Sequence, residues 1–185
     1  QLNGLCLHNP RFMYDLLLRS AWHTLSTFAA DPKWLDAKSA ATMVLHTWGQ
    51  TLVLHPHVHG IVPNGGLTSQ GHWQFPKRGG PRFLYPVKAM QVVFRAHFME
   101  RLRAVLEAGL LSLPDDFPRR PGQYYHWKEA LYHKNWVVYT KKPFSGVQQV
   151  VRYLARYSHR VAITNHRITQ IDDCLLYTSD AADEE

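Results

Sequence analysis

Acidic residues are missing from the centre of this chain: none lies between Asp36 and Glu100. A site built in that stretch has no carboxylate at hand, either as a metal ligand or as a general base. Cysteine is equally scarce. Cys6 and Cys174 stand far apart, and two thiols make neither a disulfide framework nor a four-thiolate zinc site, so a reducing compartment is expected. No run of about 18 apolar residues occurs, and no membrane span is expected. The opening residues do not form a basic-then-apolar leader. Internal repeats are absent too.

What is present is a chain of 185 residues, 45% hydrophobic, enough for one sizeable core. Its net charge of +7 understates the basic character of most of its length. Six of the fourteen acids fall in residues 172–185, so residues 1–171 carry 21 basic and 8 acidic groups, a net of +13. A body that basic attracts polyanions, nucleic acid being the commonest. The last dozen residues turn abruptly small and acidic, with no basic residue and no amphipathic period. Residues 172–185 read as a non-native or disordered tail, and residues 1–171 as one domain, incomplete at both ends.

Asn9-Pro10 predicts a helix start, with Asn as the cap and Pro at the first helical position. Apolar residues at Met13, Leu17, Leu18, Ala21, Leu25 and Phe28 carry that helix to Asp31-Pro32. Thr42–Trp48 reads as a strand and Gly49-Gln50 as a turn. A second strand follows, with either a bulge at Pro56, because proline cannot donate to a ladder, or a start only at His57 and a run to about Val62. Gly71–Phe75 reads as a returning strand. Met90, Phe94, Phe98, Leu102 and Leu106 mark a second amphipathic helix, closed by Gly109. Residues 112–123 read as loop, and Asn135–Thr140 as a strand of the main sheet. Ser145 with Gln148 makes a capping box for a short helix from Val147 to about Tyr157, and 160–168 returns to β-like sequence.

Two constellations carry chemistry. In His55-Pro56-His57-Val58-His59 the imidazoles alternate with other residues. Side chains two apart on an extended chain share a face, so His57 and His59 can converge on one ion while Val58 turns inward. In a chain with 12 histidines a lone His would mean little, but a His-apolar-His pair with a third His before it points to a metal site. For the third ligand, His55 has the right parity on a regular strand, while His46 or Gln50 can reach from before it. Imidazole suits Zn, Mn, Fe and Cu, and phosphate oxygens from a bound nucleic acid make a mixed site acceptable to Mg or Mn. The second constellation is Tyr153-Leu154-Ala155-Arg156-Tyr157, two phenols at i and i+4 on one helix face. Arg152, Arg156 and Arg160 run beside them, with Lys141 and Lys142 nearby. Guanidinium groups hold phosphate bidentately, and phenols near cations can attack phosphorus.

Together these motifs resemble the HUH endonuclease superfamily, whose signature is His-hydrophobic-His plus a nucleophilic Tyr on a later helix. The likeness is finer than that. Asn9-Pro10-Arg11 with Tyr14-Asp15-Leu16-Leu17, Leu45 to Leu52, His55 to His59 with Ile61-Val62-Pro63, Trp136-Val137-Val138-Tyr139 and Tyr153 to Ile163 resemble two-tyrosine transposases of rolling-circle insertion sequences (the IS ninety-one-like group). The resemblance implies an α+β fold: an antiparallel sheet with packed helices, in the architecture of replication initiators and relaxases. It implies that His57 and His59 hold a divalent ion, Mg or Mn, on the scissile phosphate of single-stranded DNA at transposon ends and target. Tyr153 or Tyr157 then attacks, leaving a 5′-phosphotyrosine and a free 3′-OH without ATP, and Lys141, Lys142, Arg152, Arg156 and Arg160 bind the DNA. A bacterial cytoplasmic location follows. Members of that group usually carry a Cys-rich zinc module ahead of the catalytic region, which this stretch does not contain.

Three other readings remain open. A replication initiator or relaxase would use the same chemistry. A non-catalytic DNA-binding remnant would keep the basic surface alone. A hydrolytic zinc enzyme with three histidines would require a general base, which the acid-free stretch does not supply.

Overall fold

Pro10 starts the helix that organises the amino-terminal half. In the computed structural model, which describes residues 2–49, 53–78, 84–158, 168–172 and 175–178, a short α1 (Asn3–His8) leads into α2 (Pro10–Ala30), with Pro at the first turn. Asn9 does not cap with its side chain. Its Nδ2 donates to Leu5 O and to Ser112 O, and its Oδ1 accepts from the Ser112 amide. Asn9 therefore ties the helix start to a distant loop. The buried stripe of α2 is Met13, Leu16, Ser20, Thr24, Phe28 and Ala29, one notch round from the apolar period. Small side chains at Ser20 and Thr24 let a second long helix approach closely, and Thr24 Oγ1 satisfies itself on Ser20 O at 2.7 Å.

That second helix is α3 (Val87–Glu107), which buries Met90, Phe98, Met99 and Leu102. It ends as the sequence predicts: Gly109 adopts φ +67, and Leu110 N donates back to Val105 O, the left-handed close that glycine permits. A further helix, α4 (Pro121–His133), follows. Its Arg120-Pro121-Gly122 start reads as loop, yet Pro121 occupies the first helical turn, where its missing N–H costs nothing. Leu131 is its one buried residue, so an apolar period barely shows. Leu5, Cys6, Met13, Leu16, Phe98, Met99, Leu102 and Leu131 form one core cluster, and Phe28, Leu35, Tyr85 and Met90 anchor another.

Among the described residues the main sheet has two strands, β1 (Thr42–Trp48) and β2 (Leu54–Ile61), paired antiparallel. Leu54 packs on the first cluster, which fixes the sheet against α2. A two-residue ribbon, β3 (Gly66–Leu67) with β4 (Trp73–Gln74), realises the return expected at Gly71–Phe75. α5 spans Val147–Ser158. A third ladder joins β5 (Ile168–Asp172) to β6 (Leu175–Thr178), across the change in composition at Asp172. No helix among the described residues is long and apolar enough to cross a membrane. The architecture is α+β, with small antiparallel sheets and packed helices.

Two expectations need correcting. Asn135–Thr140 is not a strand of the sheet. It is an extended segment whose Trp136 and Val138 are claimed by helices: Trp136 packs edge-on to Phe94 at 5.7 Å and tilted against Phe98 at 5.0 Å and donates Nε1–H to Leu131 O, and Val138 packs on the second cluster. The capping contact of α5 also shifts by one residue, since Gln149, not Gln148, reaches back to the Ser145 amide at 3.0 Å.

If α3 is the spine of the core, Leu102→Ala (1% exposed) should cost about 2–5 kcal/mol in urea unfolding. Val92→Ala on the same helix (56% exposed) should stay within about 0.5 kcal/mol.

Candidate metal centre and tyrosine helix

The β1–β2 register builds the centre. His46 lies opposite His57, and Val44 opposite His59. Directly paired residues share a face, as do residues two apart, so His46, His57 and His59 stand together. Between the pairs His46–His57 and Trp48–Leu54, one residue of β1 faces two of β2, His55 and Pro56. That bulge is where a proline can sit without breaking the ladder, as expected. Val58 pairs with Leu45, so it stands on the face away from the three histidines, and it is half-buried.

One nitrogen from each of His46, His57 and His59 lies within 4.8 Å of the others. Two nitrogens at about 2.1 Å from a common ion are roughly 3–4 Å apart. His57 Nε2 and His59 Nε2 already stand at 3.0 Å, and a His46 nitrogen lies within 4.8 Å of a nitrogen of each. The donor set fits a divalent ion. His57 Nδ1 sits 2.7 Å from the His55 carbonyl. A carbonyl only accepts, so Nδ1 carries the proton and Nε2 presents its lone pair to the cluster, as a ligand must. Two of the rings, His57 and His59, are also disfavoured from taking a proton. Burial pushes His59 down to about 4, aided by the charges of His57, His46 and Lys141. Burial likewise lowers His57, opposed by the hydrogen bond to His55 and assisted by His55 and His46. Neutral imidazole is the ligating form.

His55 lies outside this group. It is exposed, and its ring stacks 5.2 Å from His57, while its backbone carbonyl orients the neighbour. Gln50 lies outside the described residues. His46 thus joins His57 and His59, an alternative that spacing alone leaves open.

α5 delivers Tyr153 to the same place. Its Oη stands 3.3 Å from His59 Nδ1, across 94 residues of sequence. Phe144, just before α5, packs on the Tyr153 ring at 5.4 Å; nothing in the residue pattern singles it out. Lys141 is exposed yet close enough to His59 to bear on its protonation. Lys142 and Arg152 are exposed. Tyr157 falls on the described backbone of α5, four residues after Tyr153; its side chain, that of Arg156, and all of Arg160 lie outside the described residues.

A protein-family model described as "Putative transposase" matches residues 40–182, from just before β1 to beyond β6. The chain belongs to this transposase family. A "Putative transposase y4qJ" from Sinorhizobium fredii (strain NBRC 101917 / NGR234) is 39% identical over 173 residues, covering 92% of this chain and 43% of that protein. The transposase for insertion sequence element IS801 from Pseudomonas savastanoi pv. phaseolicola is 27% identical over 173 residues, covering 86% of this chain and 38% of its own length. This transposase-family chain therefore spans about two fifths of the curated relatives it matches. No solved structure matches it significantly.

The ligand set is checked by calorimetric titration with Mn2+. His46→Ala should weaken binding by at least about tenfold, the lower end of the loss seen even for groups that only orient a ligand, and His55→Ala should leave it nearly unchanged. The reverse pattern would exchange the third ligand.

Proposed function

We propose that this chain is the DNA nicking-and-joining part of a rolling-circle transposase of the two-tyrosine HUH type, with residues 1–171 as its catalytic domain. The observation that carries the reading is the Tyr153 phenol 3.3 Å from His59, within a three-imidazole cluster suited to an ion. A nucleophile and a phosphate-activating centre are thereby brought into contact across 94 residues of sequence.

The substrate is single-stranded DNA at transposon ends and target. Tyr153 Oη, aimed by α5 and braced by Phe144, attacks the scissile phosphorus. The new O–P bond forms as the bond to the 3′ oxygen breaks. The phenol proton is lost, the leaving oxygen takes up a proton as a 3′-OH, and the 5′ end stays on the tyrosine. The bond energy is conserved in the phosphotyrosine, so rejoining is the same exchange in reverse. His46, His57 and His59 would hold Mg or Mn, which supplies Lewis-acid polarisation of the phosphate and a template for its oxygens. Lys141 and Arg152 add positive charge along the phosphate path, with Lys142, Arg156 and Arg160 assigned to the same strand. Tyr157, one helical turn from Tyr153, serves the second cleavage.

Family membership favours transposition over replication initiation or conjugative relaxation. The hydrolytic zinc reading loses ground because, among the described residues, no carboxylate belongs to the cluster to serve as a general base.

The test uses a labelled single-stranded oligonucleotide from the element's end with Mg or Mn. A denaturing protein gel should show a covalent protein–DNA band that disappears in Tyr153→Phe/Tyr157→Phe. His57→Ala/His59→Ala should lose the band yet keep most DNA affinity, which comes largely from phosphate contacts. Binding without any adduct under either metal would leave the DNA-binding remnant as the correct reading.

A further inference from the structure

We propose that Tyr139, with Val137 beside it, is a base-stacking platform for single-stranded DNA on its way to the histidine centre. The inference rests on the single-stranded substrate proposed above and adds the surface that receives the bases.

Four observations meet at this segment. First, Asn135–Thr140 is divided in its exposure: Trp136 and Val138 are packed into the helical cores, whereas Val137 is 82% and Tyr139 77% exposed. The inward residues hold the backbone, so the outward ring stands on a fixed base. A single exposed apolar side chain means little; a rigidly mounted aromatic beside a second apolar group is a stacking surface. Second, the outward positions run 137, 139, 141 at steps of two, about 6–7 Å apart along an extended chain, and position 141 is an exposed lysine.

Third, the segment arrives at the site. Phe144, five residues beyond Tyr139, lies against Tyr153, whose hydroxyl meets His59. A strand laid along 137–141 is therefore carried toward the nucleophile. Fourth, the charge is one-sided: no acidic residue occurs from Ala130 to Ile171, while Lys134, Lys141 and Lys142 flank the platform. Ammonium groups for phosphates next to an aromatic face for bases is the chemistry that binds unpaired nucleic acid. In a duplex the base faces are already stacked on one another and offer the ring nothing. A protein strand added at the segment's edge would use backbone hydrogen bonds in the plane and leave the Tyr139 face as bare as before.

The experiment measures fluorescence anisotropy of a labelled oligo(dT), and of a duplex of equal length, with the wild type, Tyr139→Ala and Tyr139→Trp. Loss of one stacked base is worth roughly 5- to 150-fold in affinity. Tyr139→Ala should lose that much for the single strand while retaining duplex binding, and Tyr139→Trp should restore it. Thermal melting confirms that the exposed substitution leaves the fold intact. Equal losses on both probes, or none on the single strand, overturn the proposal. So does a dimer that Tyr139→Ala dissociates without changing DNA affinity, which would assign the face to a second copy. The covalent-adduct assay separates the two readings. An adduct with undiminished single-strand binding by Tyr139→Ala refutes the platform alone; selective loss of single-strand binding without any wild-type adduct refutes the nicking chemistry alone.

Discussion

The antiparallel register of β1 on β2 is the constraint on which the site depends. With His46 opposite His57 and Val44 opposite His59, three imidazoles share one face. A one-residue slip would turn the histidines of one strand to the opposite face. The slip is resisted because Leu54, the ladder partner of Trp48, is packed into the first cluster. The bulge at His55 and Pro56 completes the arrangement. It absorbs the residue that has no ladder partner and brings the His55 carbonyl to His57 Nδ1, which sets the tautomer of a ligand.

The electrostatics of the centre follow from what surrounds it. Partial burial and mutual repulsion keep His57 and His59 from protonating, so the cluster stays receptive to an ion near neutrality without any carboxylate. A carboxylate centre would carry negative charge and repel a phosphate diester. An imidazole centre adds none, in a body whose first 171 residues are strongly basic. The imidazole cluster and the missing acids are therefore consistent with the proposed DNA substrate as one choice, not as separate features.

The helices contribute position more than chemistry. Ser20 and Thr24 let α2 and α3 close on each other, and α3 in turn offers Phe94 and Phe98 to Trp136. That aromatic clamp anchors the extended stretch from which Lys141, Phe144 and then α5 proceed. The route from core to Tyr153 is thus short and continuous: a half-buried indole, an exposed ring, an ammonium group, a phenyl brace, then the phenol.

Local chemistry was readable from the residues. Pro10 at a helix start, the four-residue period of α3 with Gly109 at its end, the short α5, and the alternation of His57 and His59 all depend on neighbours within a turn or two. The meeting of Tyr153 with His59 was expected only through resemblance to a family, since 94 residues separate them and no spacing rule connects them. Three things were decided by tertiary structure. His46 became the third imidazole because strand register, with its bulge, is not a property of either strand alone. Asn135–Thr140 has the alternation of a strand but lies on helices, because Trp136 and Val138 find aromatic and aliphatic partners there and no ladder partner among the described residues. α4 stayed hidden because its single buried residue, Leu131, leaves no period to read. Sequence determines which groups are present and how each short segment bends. Only the closed chain, in which distant segments compete for the same buried surface, determines which of those groups meet.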